Sequence, residues 1–255
     1  MAKLKALLFD VDGTLADTER DGHRPAFNLA FAEAGLDWCW PPELYGELLS
    51  VTGGKERIRY YLDKYKTDFQ HDGDLEGLVA SLHKAKTAHY MRMLAEGVIP
   101  LRVGVKRLLA EARAAGLRMA VVTTTTPENV TALLQHALHP EAESWFEVIA
   151  AGDVVPFKKP DPGIYLYAME QMGLDPAECV ALEDSGNGIL ASHGAGIATI
   201  VAVNDYTKAD DFSDAVIVLN HWGEPDQAFT VLQGDAAGHG YLTLDLVRQL
   251  HDKSK

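Results

Sequence analysis

The chain is poor in cysteine: Cys39 and Cys179 are the only two in 255 residues. They lie far apart in unlike surroundings, so there is no disulfide framework and no Cys-x-x-Cys metal pattern, and a reducing cytoplasm is the expected compartment. Long hydrophobic runs are also lacking. No segment approaches the roughly 18 apolar residues of a membrane helix, and the apolar stretch at 6–9 behind Lys3 and Lys5 is too short for a signal peptide. Positive charge is scarce, with 23 Lys and Arg against 37 Asp and Glu and a formal net charge of -14. Nucleic acids and anionic membranes need clustered cations, so neither is an expected partner. A small anionic substrate stays open, because a metal and a few placed cations outweigh the global field locally. Phosphate-loop and zinc-protease signatures are missing too: Gly53-Gly54-Lys55 lacks the upstream glycine and following Ser or Thr, and the histidines include no His-Glu-x-x-His.

What is present is a core. At 47% hydrophobic residues the chain supports one large domain, or a main domain with a smaller one. Short apolar runs at 6–11, 119–122, 148–151, 180–182, 199–203 and 215–219 read as buried strands. Helix-compatible stretches at 103–115, 127–137, 162–172 and 185–195 separate the later ones, with Gly116, Gly173 and Gly196 as C-terminal stops. That alternation predicts an α/β fold, a doubly wound, mostly parallel, Rossmann-like sheet covered on both faces. Residues 17–97 break the rhythm. Their periodic apolar positions Phe27, Phe31, Leu44, Leu48, Ile58, Leu62, Leu78 and Leu82, with turns at Trp40-Pro41-Pro42 and His71-Asp72-Gly73, predict an all-helical cap domain inserted into a core of residues 1–16 and 98–255. The tail at 220–240 reads as irregular surface before a last helix at 243–251.

Chemistry gathers where strands stop. Asp10 and Asp12 end the first apolar run, and a strand continuing through both would put their carboxylates on one face, where like charges need a proton or a metal between them. Thr123 to Thr126 follow the second run, and hydroxyls at a helix start suit a phosphate. Lys158-Lys159-Pro160-Asp161-Pro162 is a stiffened loop offering a fixed cation. Glu183-Asp184 end a further buried run. If the four acids converge, a hard divalent cation such as Mg²⁺ relieves their repulsion, since it takes oxygen ligands from one or two carboxylates and a substrate phosphate.

These segments resemble a known family. Asp10-Val11-Asp12-Gly13-Thr14, Thr123, Lys159 and Glu183-Asp184 match in order and spacing the four motifs of the haloacid dehalogenase-like hydrolases, across nearly the whole chain. Asp17-Thr18-Glu19 before a helix resembles the branch of β-phosphoglucomutases and CbbY phosphatases. The stretches Thr123 to Asn129, Thr52 to Arg57 and Gly223 to Gln227 look most like CbbY, a sugar-bisphosphate phosphatase near the Calvin cycle. The resemblance implies a Mg²⁺-dependent phosphatase converting xylulose 1,5-bisphosphate to xylulose 5-phosphate through an aspartyl phosphate, acting as a monomer. Asp10 would be the nucleophile, Asp12 the acid and base, and Thr123 and Lys159 the phosphoryl grip. Asp10, the Asp12 carbonyl, Glu183 and Asp184 would hold the metal. Asp17, His23, Tyr45, Lys55, Arg57 and Thr124 would bind the phosphosugar. A β-phosphoglucomutase-like mutase is the nearest alternative and a non-catalytic phosphosugar sensor a more distant one. The longer stretch Arg20-Asp21-Gly22 before His23, and Pro127 after the second motif, favour the phosphatase.

Overall fold

Ala6, Leu7, Leu8 and Phe9 are all buried and form β1 (Ala6–Phe9), as expected of a strand covered on both faces. The computed structural model describes residues 3–51, 53–70 and 73–254. Six further strands follow: β2 (Arg118–Thr123), β3 (Val148–Ala151), β4 (Cys179–Glu183), β5 (Ala198–Ala202), β6 (Ile217–Leu219) and β7 (Val231–Gln233). They make one sheet in the order β3-β2-β1-β4-β5-β6-β7. All neighbours are parallel except β6 and β7. β1 lies between β2 and β4, so the chain reverses its direction of winding there. Sites in open parallel sheets form at that point, beyond the carboxyl ends of the strands.

The chain forms two compact units, residues 1–17 with 100–255, and residues 18–99. The second unit contains α1 (Arg24–Glu33), α2 (Pro42–Leu48), α3 (Gly54–Tyr65) and α4 (Leu75–Ala95), and no strand among its described residues. Pro42 opens α2, where its missing N–H costs nothing. Phe27, Phe31, Trp38, Trp40, Tyr45 and Tyr61 meet ring to ring in its core, with centroids 4.7 Å apart for Phe27 and Trp40 and 5.3 Å for Trp40 and Tyr61. Asn28 secures the loop that delivers Trp40, donating to its carbonyl at 3.1 Å and accepting from its N–H at 2.8 Å. The predicted apolar stripe is one position off in two helices. Tyr45 and Val79 are buried, whereas Leu44 and Leu78 are only partly covered, because Tyr45 can bury its ring and still give its hydroxyl to Glu19. Thr52 and the predicted turn residues His71 and Asp72 lie outside the described residues.

In the sheet unit, α5 (Val105–Ala114), α6 (Pro127–Leu133), α7 (Gly163–Met172) and α8 (Gly186–Gly194) alternate with the strands, and α9 (Leu244–Lys253) closes the chain. Ile164, Tyr165, Ala168 and Met169 of α7 pack on Ala6, Leu8, Ala120, Val122 and Ala181 of the central strands. The tail is not the irregular surface that its composition predicts. It supplies β7 and buries Trp222 and Phe229. No helix among the described residues is long and apolar enough to cross a membrane.

Candidate active site

The first strand ends at Phe9, earlier than the apolar pattern predicts, so Asp10 and Asp12 do not share a strand face. Strand pairing nevertheless runs one step further on one side, with the Asp10 N–H donating to the Leu182 carbonyl at 3.0 Å. That bond sets Asp10 beside Glu183, the last residue of β4. Asp12 is partly buried in the turn that follows and forms a backbone bridge with Ala16.

Lys159 locks the two strand ends together. Its ammonium donates at 2.8 Å to Asp10 Oδ1, at 2.6 Å to Glu183 Oε1 and at 2.8 Å to the Val122 carbonyl at the end of β2. Three acceptors meet its three protons, so the side chain has one geometry. Burial disfavours its charge, but Asp10 and Glu183 more than offset this and hold it above the usual lysine range. Tyr165 of α7 donates to the same Glu183 oxygen at 2.5 Å. The other oxygen, Oε2, is buried with no hydrogen-bond partner among the described residues, and a Cβ on Gly188 would lie 1.9 Å from it.

Asp184 is gripped from two sides. Asn204, just past β5, donates to Oδ2 at 2.6 Å, and the Thr14 hydroxyl lies 3.4 Å from Oδ1. Asp10, Glu183 and Asp184 each bring an oxygen within 4.8 Å of the others. Burial first, then the neighbouring carboxylates, raises Asp184 well above the usual Asp range, and burial raises Glu183 despite Lys159. One ammonium cannot balance three crowded acids. The donor set is all oxygen, one Glu183 oxygen lacks a partner and the surplus charge is negative, so these residues fit a hard divalent cation.

Thr123 is fully buried, and its hydroxyl accepts from the Thr125 N–H at 3.3 Å. The neighbouring threonines divide the work of the helix start. Thr126 caps α6 by accepting from Asn129 N–H at 3.4 Å, and Thr125 accepts from the Asn129 amide at 3.2 Å. Thr124 is partly buried, and its carbonyl lies 3.5 Å from Lys158 Nζ. Lys158 itself pairs with the exposed Asp153 at 2.7 Å.

The residues predicted to bind sugar are divided between the two units, with Asp17 and Thr124 in the sheet unit and His23, Tyr45, Lys55 and Arg57 in the helical one. Asp17, expected in the cap, belongs to the sheet unit, where its Oδ1 lies 3.3 Å from Arg102 Nε. A carboxylate this close to a buried guanidinium stays with it. Within the helical unit Tyr45 and Arg57 are brought together, both buried, with Arg57 donating to the Tyr45 hydroxyl at 2.9 Å and to the carbonyls of Leu48 and Val51. Tyr45 in turn donates to Glu19 Oε2 at 2.5 Å. His23 is buried beside Lys86, with Nδ1 2.9 Å from the ammonium, and its ring lies 4.0 Å from that of Tyr90. Burial, then Lys86, Arg57 and His83, keeps His23 well below its ordinary value, so it is neutral and accepts from Lys86. Lys55 is exposed in the first turn of α3. Sequence reasoning gave no role to Asn204, Tyr165, Lys86 or Glu19. Asn204 carried a signal, a polar residue directly after a buried strand at the same sheet edge, and Glu19 stood in the Asp17-Thr18-Glu19 stretch without being assigned a partner.

A family model described as haloacid dehalogenase-like hydrolase matches residues 4–196. The plasmid-borne protein CbbY of Cupriavidus necator is 43% identical over 248 residues, covering 97% of both chains. CbbY from Rhodobacter sphaeroides in complex with phosphate is similar in structure, with a TM-score of 0.75, 47% identity, and 87% of this chain and 96% of that one covered. An Asp→Asn variant of the same protein in complex with xylulose-(1,5)bisphosphate matches with a TM-score of 0.75, 46% identity and the same coverage.

Proposed function

The chain belongs to the haloacid dehalogenase-like hydrolases and is a sugar-phosphate phosphatase; from that premise we propose xylulose 1,5-bisphosphate as its substrate, Mg²⁺ as its cofactor and an aspartyl phosphate on Asp10 as its intermediate. The observation that carries this reading is the Asp10–Lys159–Glu183–Asp184 cluster at the strand ends. The choice of sugar is supported by the relative that holds this bisphosphate.

In the proposed reaction an Asp10 oxygen attacks phosphorus, and the bond from phosphorus to the sugar oxygen breaks as Asp12 gives that oxygen its proton. A covalent intermediate divides one difficult displacement into two. Water then attacks the phosphorus of the aspartyl phosphate, Asp12 takes its proton, and inorganic phosphate leaves with Asp10 restored. Lys159 holds the nucleophile in one rotamer through Oδ1 and sets fixed positive charge against the phosphoryl oxygens, where it counts most in the transition state. The Thr123 hydroxyl adds a donor to the same oxygens. The carboxyls of Asp10, Asp184 and Glu183 with the Asp12 carbonyl would hold Mg²⁺, which when bound neutralises both the acidic cluster and the phosphate. Glu183, already engaged by Lys159 and Tyr165, serves mainly to place the lysine. Of the residues expected to bind the sugar and its second phosphate, Lys55, Arg57, His23 and Tyr45 are proposed as contacts from the helical unit and Thr124 from the sheet unit, whereas Asp17 is proposed to act through its pairing with Arg102.

Phosphate release from xylulose 1,5-bisphosphate, measured against pentose and hexose monophosphates with Mg²⁺ and with chelator, tests the proposal. The expected result is metal-dependent release with preference for the bisphosphate. Release that persists in chelator rejects the cofactor, and a preference for a monophosphate rejects the substrate. Asp10→Asn keeps the size and removes the nucleophile, with an expected loss of about 10³-fold or more in kcat. Phosphorus NMR that finds the phosphoryl group moved within the sugar would mean a mutase.

A further inference from the structure

Three consecutive carbonyls follow the Asp10-Val11-Asp12 segment, and each is claimed by a residue far away in sequence. The Gly13 carbonyl accepts from Arg102 Nη1, the Thr14 carbonyl from Trp222 Nε1 at 3.1 Å, and the Leu15 carbonyl from the Arg102 backbone N–H at 2.9 Å. Both side chains are buried. Arg102 uses its whole planar fork: Nη1 also reaches the Ala202 carbonyl at 2.7 Å, Nη2 reaches Val203 at 2.5 Å and Asn220 at 3.0 Å, and Nε faces Asp17 at 3.3 Å. A buried guanidinium is tolerated only when its donors are paired in this way. Trp222 is tied in turn by its N–H to the Val103 carbonyl at 3.2 Å.

We infer that Arg102 and Trp222 are positioning residues that hold the Asp12-Gly13-Thr14 turn, and through it the Asp12 backbone and carboxyl, in the geometry that the reaction requires. A peptide group is planar, so a hydrogen bond that holds its oxygen restricts the orientation of the whole plane. The turn has no slack, since Gly13 adopts φ +89 and a Cβ there would lie 2.2 Å from Asp184 Oδ2. Release of the Gly13 and Thr14 carbonyls would let the turn shift against Asp184 and move Asp12 away from the scissile oxygen. The residues that hold it come from the segment after the helical insertion and from the C-terminal tail.

The inference rests on the reading of Asp10 and Asp12 as the catalytic pair. Arg102→Lys keeps the charge but cannot reproduce the fork, and Trp222→Phe keeps a smaller aromatic ring and removes the indole N–H. Three readouts are taken on the full chain: kcat and KM for the best sugar phosphate, Mn²⁺ affinity by EPR without substrate, and thermal unfolding. For Arg102→Lys the expected result is a kcat lower by about 10- to 100-fold with little change in KM, and Mn²⁺ affinity weakened by about 10-fold, as for other groups that orient metal ligands. Trp222→Phe is expected to move both readouts in the same direction by less. Variants that lose thermal stability but keep wild-type kcat and Mn²⁺ affinity overturn the inference, as does an effect confined to KM. If Arg102→Lys does not fold, Trp222→Phe decides alone by the same criteria. A wild-type protein that releases no phosphate from any sugar phosphate counts against the proposed function, and the Mn²⁺ affinities then decide this inference by themselves.

Discussion

Gly188 shows how one missing methyl group governs the site. It lies in α8, where alanine is favoured over glycine by about 1 kcal/mol from helix propensity alone. Its Cβ would sit 1.9 Å from Glu183 Oε2 and 2.2 Å from Glu183 Cδ. The clash outweighs the propensity, because Glu183 is held by Lys159 and Tyr165 and cannot yield without releasing the lysine. Gly188→Ala is expected to lower kcat by roughly 10- to 100-fold, as for displaced supporting groups, and differential scanning calorimetry should show a lower Tm. His23 governs a pH dependence. The folded protein keeps it neutral below its ordinary value of 6.5, owing first to burial and then to Lys86, Arg57 and His83. The unfolded chain protonates near that ordinary value, so below it the unfolded state binds more protons. The contribution of His23 to stability is therefore complete above about pH 6.5 and lost as pH falls through it. His83, lowered by burial and then by Lys86 and Lys55, acts in the same direction. Glu183 and Asp184, both raised by burial, act in the opposite direction over the same range, so the His23 contribution is read as a difference: between about pH 8 and about pH 5 the denaturant midpoint of the wild type should drop relative to that of His23→Gln.

At the scale of elements, the aromatic core of the helical unit depends on one loop being held in place. Asn28 on α1 exchanges two hydrogen bonds with the Trp40 backbone, and Trp40 is fully buried. Asn28→Ala strands a buried carbonyl and N–H and is expected to cost roughly 1–3 kcal/mol. Trp40→Ala leaves a cavity among Phe27, Phe31 and Tyr61 and is expected to cost about 3–5 kcal/mol. Hydrogen exchange should show both losses at amides of α1 to α4 first. In the sheet unit, β1 had to be short. A strand continuing past Phe9 would have kept Asp12 in the ladder, whereas the turn at Gly13 returns the chain so that Ala16 bridges back to Asp12.

For the molecule as a whole, the decisive balance is between a net charge of -14 and a buried centre that also carries surplus negative charge. Asp184 and Glu183 are held above their ordinary carboxyl values, burial being the largest cause for both. A cation that binds the folded state alone stabilises it by mass action, by about 2.7 kcal/mol at a hundredfold excess over Kd. Mg²⁺ is therefore expected to raise Tm and EDTA to reverse the rise. Protons compete for the same oxygens, so the rise should be larger at about pH 8 than at about pH 6. A Tm indifferent to Mg²⁺ at both values would mean that the three carboxyls do not take it.

Much of this molecule was legible in its amino-acid order. Hydrophobic runs of strand length alternating with helical stretches specify a parallel doubly wound sheet, and such a sheet gathers whatever follows its strands on one edge. That is why Asp10, Thr123 and Glu183-Asp184 could be picked out as a group. Tertiary structure decided what local pattern cannot encode. Arg102 meets Gly13 across 89 residues and Asn220 across 118, and Asn204 and Tyr165 reach the acids from elements with no motif of their own. Asp17 moved from the cap to the sheet unit because its partner, Arg102, lies on the far side of the insertion. Burial faces and strand ends follow from the periodicity of neighbouring residues, which one chain displays in order. The partner of a buried charge depends on which distant segments the fold brings alongside it, and only the folded chain determines that.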